Sequence, residues 1–392
     1  MSNSHFSSWP SYSIEEADAV KSVLLSNNVN YWTGSHCKKF ELEFSEWLGV
    51  NYSIAMANGS VALDAAMKAL DIGPGDEVIV TPRSFIASVS CVVNAGAKPI
   101  FADVDLKSGN ITAKSINKVI SESTKAVICV HLAGWPCDMD PIISLAKKHQ
   151  IFVVEDCSQA HGASYKGKNV GTIGDIGTWS FCQDKIMTTG GEGGMVTTND
   201  HSLWDKMWSY KDHGKNYDVI NKTKDLSGFK WVHQSFGTNL RMTEIQAVIG
   251  RIQLKKMKDW TKKRNTNAQR ILQVCSLYPS LYRVEFPPTT IVHAWYKCYV
   301  YLHLDGLKDS WDKSNFTEYF NNNDIPCYSG SCSEIYMEKA FDGTMYRPKK
   351  RLNNAKQLGE SSLMFLVHPT ISDQELNKTC NLIMKISSKI GK

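Results

Sequence analysis

The stretch Ile151–Met195 (IFVVEDCSQAHGASYKGKNVGTIGDIGTWSFCQDKIMTTGGEGGM) gathers a lysine, an aspartate and a glycine run that together suit a covalently held carbonyl cofactor. Lys185 stands between Trp179-Ser180-Phe181, which reads as an aromatic strand, and the turn Thr188–Gly194. An amine there can form a Schiff base once its pKa is brought well below the ordinary value of about 10.4. Asp156 ends the apolar run that begins at Ile151, and Gln159 lies three residues beyond it. A carboxylate at a strand end can hold a proton on a heterocyclic nitrogen, which keeps such a ring an electron sink. The glycines would let backbone approach a ligand closely. Each feature alone has a plainer reading: a surface lysine, a helix-capping aspartate with a solvated glutamine, and a flexible hairpin loop.

These residues need a frame, and the chain supplies one. Strand-like apolar runs at Tyr52–Ala57, Glu77–Val80, Pro99–Phe101, Ala126–His131 and Ile151–Glu155 alternate with helical stretches such as Ala87–Asn94 and Ile142–His149. Continuous apolar strands separated by helices predict an α/β fold with a mostly parallel sheet covered on both faces. Ligands of such sheets sit beyond the carboxyl ends of the strands. Those ends carry Arg83-Ser84-Phe85, Asp103, His131 and Glu155-Asp156, and we take Arg83 and His131 as candidate substrate contacts. Asn58-Gly59-Ser60 joins the first strand to a helix, an arrangement that either caps the helix or aims free N–H groups at an anion. Neither a full GxGxxG nor a Walker-type loop is present, which argues against dinucleotide and P-loop folds.

Towards the N-terminus, Ile14–Leu25 and residues 38–48 read as amphipathic helices. A loop is expected from Lys211 to Gly237, then an amphipathic helix from Arg241 to Trp260 that closes a large domain, residues 1–260. The pattern then changes to α+β, with an alternating strand (YKCYVYLHL), a helix around Trp311–Asn321 and a final helix from Asp373. That predicts a smaller domain over residues 261–392, on which the N-terminal segment would pack.

Hydrophobic residues make up 42% of the 392 and charged residues 21%, an ordinary globular balance. The net charge of +5 is interspersed along most of the chain, so it suits an anionic small molecule better than a nucleic acid. Eleven cysteines without a CxxC pair read as reduced core thiols, with no metal site expected. No apolar run of about 18 residues exists, and MSNSHFSSWPSYS lacks a signal-peptide layout; a cytoplasmic protein is expected.

Taken together, VEDCSQAHGA, GDIGTWSFCQDK and TTGGEGGM resemble the sugar aminotransferases of the DegT/StrS type. ANGSVAL, GPGDEVIVTPRSF and GTNLRMTEIQA extend the likeness over nearly the whole chain, in the family's order. The resemblance implies a fold type I enzyme that uses pyridoxal 5'-phosphate, with pyridoxamine 5'-phosphate as its amine form. It implies that Lys185 bonds to the cofactor, Asp156 pairs with the ring nitrogen, Gln159 reaches the ring hydroxyl and Phe85 stacks on the ring. Gly59, Ser60 and Ser180 would hold the phosphate, and Asn239 would reach the phosphate of a partner subunit, so a homodimer is implied. The chain departs from the family pattern at Cys182-Gln183-Asp184, more polar than usual, and at Arg83, where an uncharged residue is common. Both departures bear on the substrate pocket.

The implied reaction moves an amino group from an amino acid, L-glutamate in most of the family, to a keto- or aldehydo-sugar for cell-surface polysaccharide. Our leading acceptor is an oxidised 3-deoxy-octulosonate (8-oxo-Kdo), giving 8-amino-Kdo for lipopolysaccharide, whose carboxylate would pair with Arg83 or the basic run Arg347–Arg351. A nucleotide-linked keto-sugar is the alternative. A dehydratase of the same family would carry histidine in place of Lys185, and a non-catalytic sugar-binding relative would have lost Lys185 or Asp156. A metal hydrolase built on Asp156, Cys157 and His161 fits no standard ligand spacing.

Overall fold

The computed structural model describes residues 6–222, 231–308 and 310–390. Seven strands form the main sheet, in the order Tyr52–Met56, Gly194–Thr198, Ile176–Ser180, Phe152–Asp156, Thr124–Val130, Glu77–Val80, Lys98–Phe101. Gly194–Thr198 runs antiparallel to both its neighbours and the remaining pairs are parallel, so six strands point one way. The buried runs do what their composition predicts. Six of the seven residues in Thr124–Val130 are buried, as are four of five in Phe152–Asp156, because helices cover both faces of a parallel sheet.

Register then decides the site. Val130 pairs with Asp156, and Ser180 and Met56 both pair with Gly194. The carboxyl ends of these four strands therefore meet along one edge, together with the first residue of the antiparallel strand.

Helix Ile14–Leu25 forms as its apolar spacing predicts, and His36–Leu48 ends at Gly49, whose φ of 74° is the left-handed turn expected of a C-terminal glycine. Both pack on helix Glu244–Ser276, which starts on a capping box between Thr243 and Gln246. That helix does not stop near Trp260. Its 33 residues continue to Ser276, since no glycine or proline interrupts the segment after Trp260. Ala247, Leu254 and Met257 face the core behind the main sheet, whereas Ala268, Ile271, Leu272 and Cys275 face a second core. One rod thus ties the two cores together.

The second core is built on four antiparallel strands in the order Tyr282–Arg283, Cys298–Leu302, Ser362–Phe365, Cys327–Tyr328. Helices Lys313–Asn321 and Asp373–Ile390 accompany them, and the N-terminal segment docks here through Ser7 Oγ, which donates to Glu375 at 2.8 Å. Part of the expected loop from Lys211 to Gly237 lies outside the described residues; within the described part, Tyr217–Lys222 is a short helix. All eleven cysteines are free thiols and nine are buried. Among the described residues no helix is long and apolar enough to cross a membrane.

Candidate active site

A cavity of about 1160 Å³ opens at the carboxyl edge of the main sheet, between it and the second core. Gly59, Ser60, Phe85, Asp156, Gln159, Ser180 and Lys185 all line it.

Asp156 is 4% exposed at its strand end. Ser88 Oγ donates to Oδ2 at 2.8 Å and the Ser158 N–H to Oδ1 at 3.1 Å. Two donors leave acceptor capacity on an ionised carboxylate, enough for one more N–H. Gln159 is held by its Oε1, which accepts from the Ala133 N–H at 2.7 Å. Phe85 is 67% exposed and lines the cavity, so its ring face is open to a flat ligand there.

The helix Gly59–Ala69 is capped by Asn58, whose side chain accepts from the Val61 N–H at 3.0 Å. The cap does not use the N–H groups of Gly59 and Ser60, which have no acceptor within the first turn and face an anion-favouring site. A Cβ at Gly59 would lie 2.6 Å from the Ser180 Cβ, so the helix start and the strand end touch because residue 59 has no side chain. Gly59→Ala should cost about 1–3 kcal/mol by overpacking and weaken retention of a phosphate-bearing ligand roughly tenfold. Thermal unfolding with and without that ligand measures both effects.

Lys185 is half-buried, and its amine has no hydrogen-bond or ion-pair partner among the described residues. Its Nζ stands 5.1 Å from the centre of the Tyr296 ring. Its backbone is pinned: the carbonyl accepts from Trp9 Nε1 at 2.7 Å and the N–H donates to Cys182 at 3.0 Å. Asp184 accepts the Tyr296 hydroxyl. Burial would raise the Asp184 carboxyl, but the Lys185 charge and the Tyr296 hydrogen bond hold it below the usual range.

The residues fit pyridoxal phosphate as a donor set. A partnerless amine, a buried carboxylate with spare acceptor capacity, an exposed ring and a helix start with unused N–H groups share one cavity.

Two expected substrate contacts lie elsewhere. Neighbouring side chains of a strand alternate in direction, so Val130 lines the cavity while His131 turns away, just as Asp156 faces in and Glu155 faces out. His131 Nε2 meets Glu155 Oε2 at 3.0 Å, and its Nδ1 accepts from the Cys137 N–H at 3.0 Å. Burial pushes the Glu155 carboxyl up, yet His131 and the Gly174 N–H bring it below its usual range. Cys157 completes a trio with His131 and Glu155 close enough for a metal, but the His131 nitrogens and Glu155 oxygens already have partners. His131→Ala should therefore cost about 3 kcal/mol or more by stranding Glu155, with substrate KM unchanged. Denaturant unfolding beside steady-state kinetics checks this pair of outcomes.

Arg83 is likewise fully buried and outside the cavity lining. Ser84 faces the cavity, whereas the Arg83 guanidinium lies 5.2 Å from the Tyr299 ring centre and donates to Ser333 Oγ at 3.4 Å. The basic run is also tied down, Arg347 to Asp342 at 2.6 Å and Arg351 to Glu334. Asn239 is exposed, does not line this cavity, and accepts the Arg241 N–H at 3.3 Å. His161 packs between Trp179 and Phe181, and burial first, then Lys185 and Arg264, pull it down to about 3, so it is a neutral core ring.

Ser88, Tyr296 and Lys297 belong to the cavity and carry no signal in the sequence beyond their element, whereas Asp184 stands out there as part of the polar segment Cys182-Gln183-Asp184. Ser88 reads there as part of a helix and Lys297 as part of an alternating strand.

Comparison with known proteins agrees with this geometry. Residues 10–384 match the DegT/DnrJ/EryC1/StrS aminotransferase family. The chain is 42% identical over 255 residues to the GDP-perosamine synthase of Escherichia coli O157:H7, covering 65% of this chain and 67% of that one. It is 30% identical over 372 residues to the spore coat polysaccharide biosynthesis protein SpsC of Bacillus subtilis, covering 95% and 94%. The aminotransferase from Psychrobacter cryohalolentis superposes with a TM-score of 0.96 at 58% identity, over 98% of this chain and 99% of that one. With the motifs, the sheet edge and the match over 10–384 in agreement, the chain belongs to the DegT/DnrJ/EryC1/StrS family and is a pyridoxal-phosphate-dependent sugar aminotransferase.

Proposed function

We propose that the protein transfers the amino group of L-glutamate to a keto-sugar carried on a nucleotide, in the making of a cell-surface polysaccharide. The observation that carries this reading is the size of the cavity around Lys185. At about 1160 Å³ it exceeds the roughly 300–1,000 Å³ of ordinary small-ligand pockets, leaving room beside the cofactor for an extended acceptor. The relative named GDP-perosamine synthase points to the same class of sugar.

Pyridoxal phosphate, when bound, supplies the electron sink that lets a carbon beside its nitrogen lose a proton. The chain supplies the rest. Lys185 holds the cofactor covalently and, once released, moves a proton at the reacting carbon of donor and acceptor in turn. Asp156, kept in place by Ser88 and Ser158, holds the proton on the ring nitrogen. Gln159 reaches the ring hydroxyl and Phe85 covers the ring face. Gly59, Ser60 and Ser180 take the phosphate. Asn239, exposed on a single chain, serves a second subunit, so the working form is a homodimer. A cytoplasmic setting, where nucleotide-linked sugars and glutamate are found together, suits the reaction.

The 8-oxo-Kdo acceptor loses its physical motive, because Arg83 and the basic run do not face the cavity. A coupled glutamate assay over a panel of nucleotide-linked keto-sugars, with 8-oxo-Kdo in the same panel, tests the choice. Turnover of a nucleotide-linked sugar is expected, and turnover of 8-oxo-Kdo alone would overturn it.

A further inference from the structure

Lys297 has no place in the reading above, yet it lines the cavity. It follows Tyr296 at the start of strand Cys298–Leu302. Its Nζ lies 4.8 Å from the Tyr296 ring centre, the ring that also carries Lys185 Nζ at 5.1 Å. No hydrogen bond or ion pair engages this amine among the described residues.

The wall around it is short of negative charge. Arg264 is buried behind it, its Nη1 donating to the carbonyls of Trp295 and Tyr296 at 3.3 and 3.4 Å. Lys185 and Lys297 thus share one carboxylate, Asp184, which already accepts the Tyr296 hydroxyl, while Arg264 adds a third positive charge near Lys297. Burial draws the Lys297 ammonium down to about 8; Asp184 opposes that, and Arg264 and Lys185 add to it. A partly dehydrated cation with no partner gains most from an incoming anion.

We propose that Lys297 receives the α-carboxylate of the amino-acid donor. This rests on the aminotransfer reading and names one of its subsites. The choice of anion follows from connectivity. The α-carboxylate is bonded to the carbon that bears the amine, so its partner must stand close to Lys185. A nucleotide's diphosphate is separated from a reacting keto carbon by part of a sugar ring. An amine beside the same ring as Lys185 suits the first anion and not the second.

The test uses the holoenzyme and two non-transferable or altered probes: glutarate, which has no amine, and isoglutamine, the α-amide of glutamate. Lys297→Met should weaken glutarate binding by calorimetry and raise glutamate KM about tenfold. It should erase the wild-type preference for glutamate over isoglutamine. Visible cofactor absorbance and acceptor KM should stay within about twofold, and Lys297→Arg should restore most of the donor affinity. Lys297→Gln carries the comparison if the methionine variant does not fold. Unchanged glutarate affinity, a retained preference for glutamate, or a rise in acceptor KM instead would overturn the assignment. A wild-type protein whose absorbance glutamate does not bleach would sink the aminotransfer reading itself, and this subsite with it.

Discussion

Lys185→Ala should abolish turnover, lowering kcat by about 10⁴-fold, because it removes the group proposed both as covalent anchor and as mover of the proton. The loss should come without loss of the fold. Lys185 makes no side-chain hydrogen bond or ion pair among the described residues, and its contribution to packing is contact with the Tyr296 ring. Thermal unfolding of the variant should therefore fall within about 1 kcal/mol of the parent. Mass spectrometry after borohydride reduction reads the anchor directly. The parent should gain the cofactor's mass on the peptide containing Lys185, and the variant should gain it nowhere. A variant that still takes up the cofactor covalently, or still turns over, would remove Lys185 from its role.

Asp156→Asn ranks second. Asparagine keeps the shape, and its side-chain oxygen can still accept from either Ser88 or the Ser158 N–H. What it loses is the negative charge that we propose faces the ring nitrogen. Removing one preorganised electrostatic partner costs about 10²–10³ in kcat. Losing a charge-assisted hydrogen bond should also raise the cofactor's dissociation constant about 10–100-fold. Equilibrium dialysis and steady-state kinetics measure the two, and unchanged values in both would show that Asp156 faces something other than the ring nitrogen. The contrast with His131→Ala is informative. That substitution lies one residue past a cavity-lining strand position and should cost stability without touching turnover, because His131 serves Glu155 on the other face of the sheet.

Asp156 and His131 also mark what could be read from the sequence and what could not. Uninterrupted apolar runs such as Thr124–Val130 announce buried parallel strands, and the rule that ligands gather at their carboxyl ends points to the edge where the cavity opens. Direction along that edge is another matter. A strand end presents alternate residues to opposite faces, and which set faces the cavity depends on register with neighbouring strands. His131 and Arg83 were both chosen for position and chemistry, and both turn the other way.

The extension of helix Glu244–Ser276 beyond Trp260 was hidden for a different reason. The apolar positions change allegiance from one core to the other midway, so the change of pattern looked like an end. Trp9 reaches the Lys185 carbonyl across 176 positions of sequence, a contact that no local pattern signals. Lys297 was legible only as one residue of an alternating strand, since a cation's value to the site depends on the charges that folding gathers around it. The candidate cofactor residues Gly59, Ser60, Phe85, Asp156, Gln159, Ser180 and Lys185 share one cavity, whereas the candidate substrate residues Arg83 and His131 lie outside its lining.

The most direct test of the account is the absorbance of the purified protein. After incubation with pyridoxal phosphate it should absorb in the visible, L-glutamate should bleach the band, and a nucleotide-linked keto-sugar should restore it. Lack of a visible band, or a band that glutamate leaves unchanged, would contradict the claim that Lys185 and Asp156 together hold a working aminotransferase cofactor.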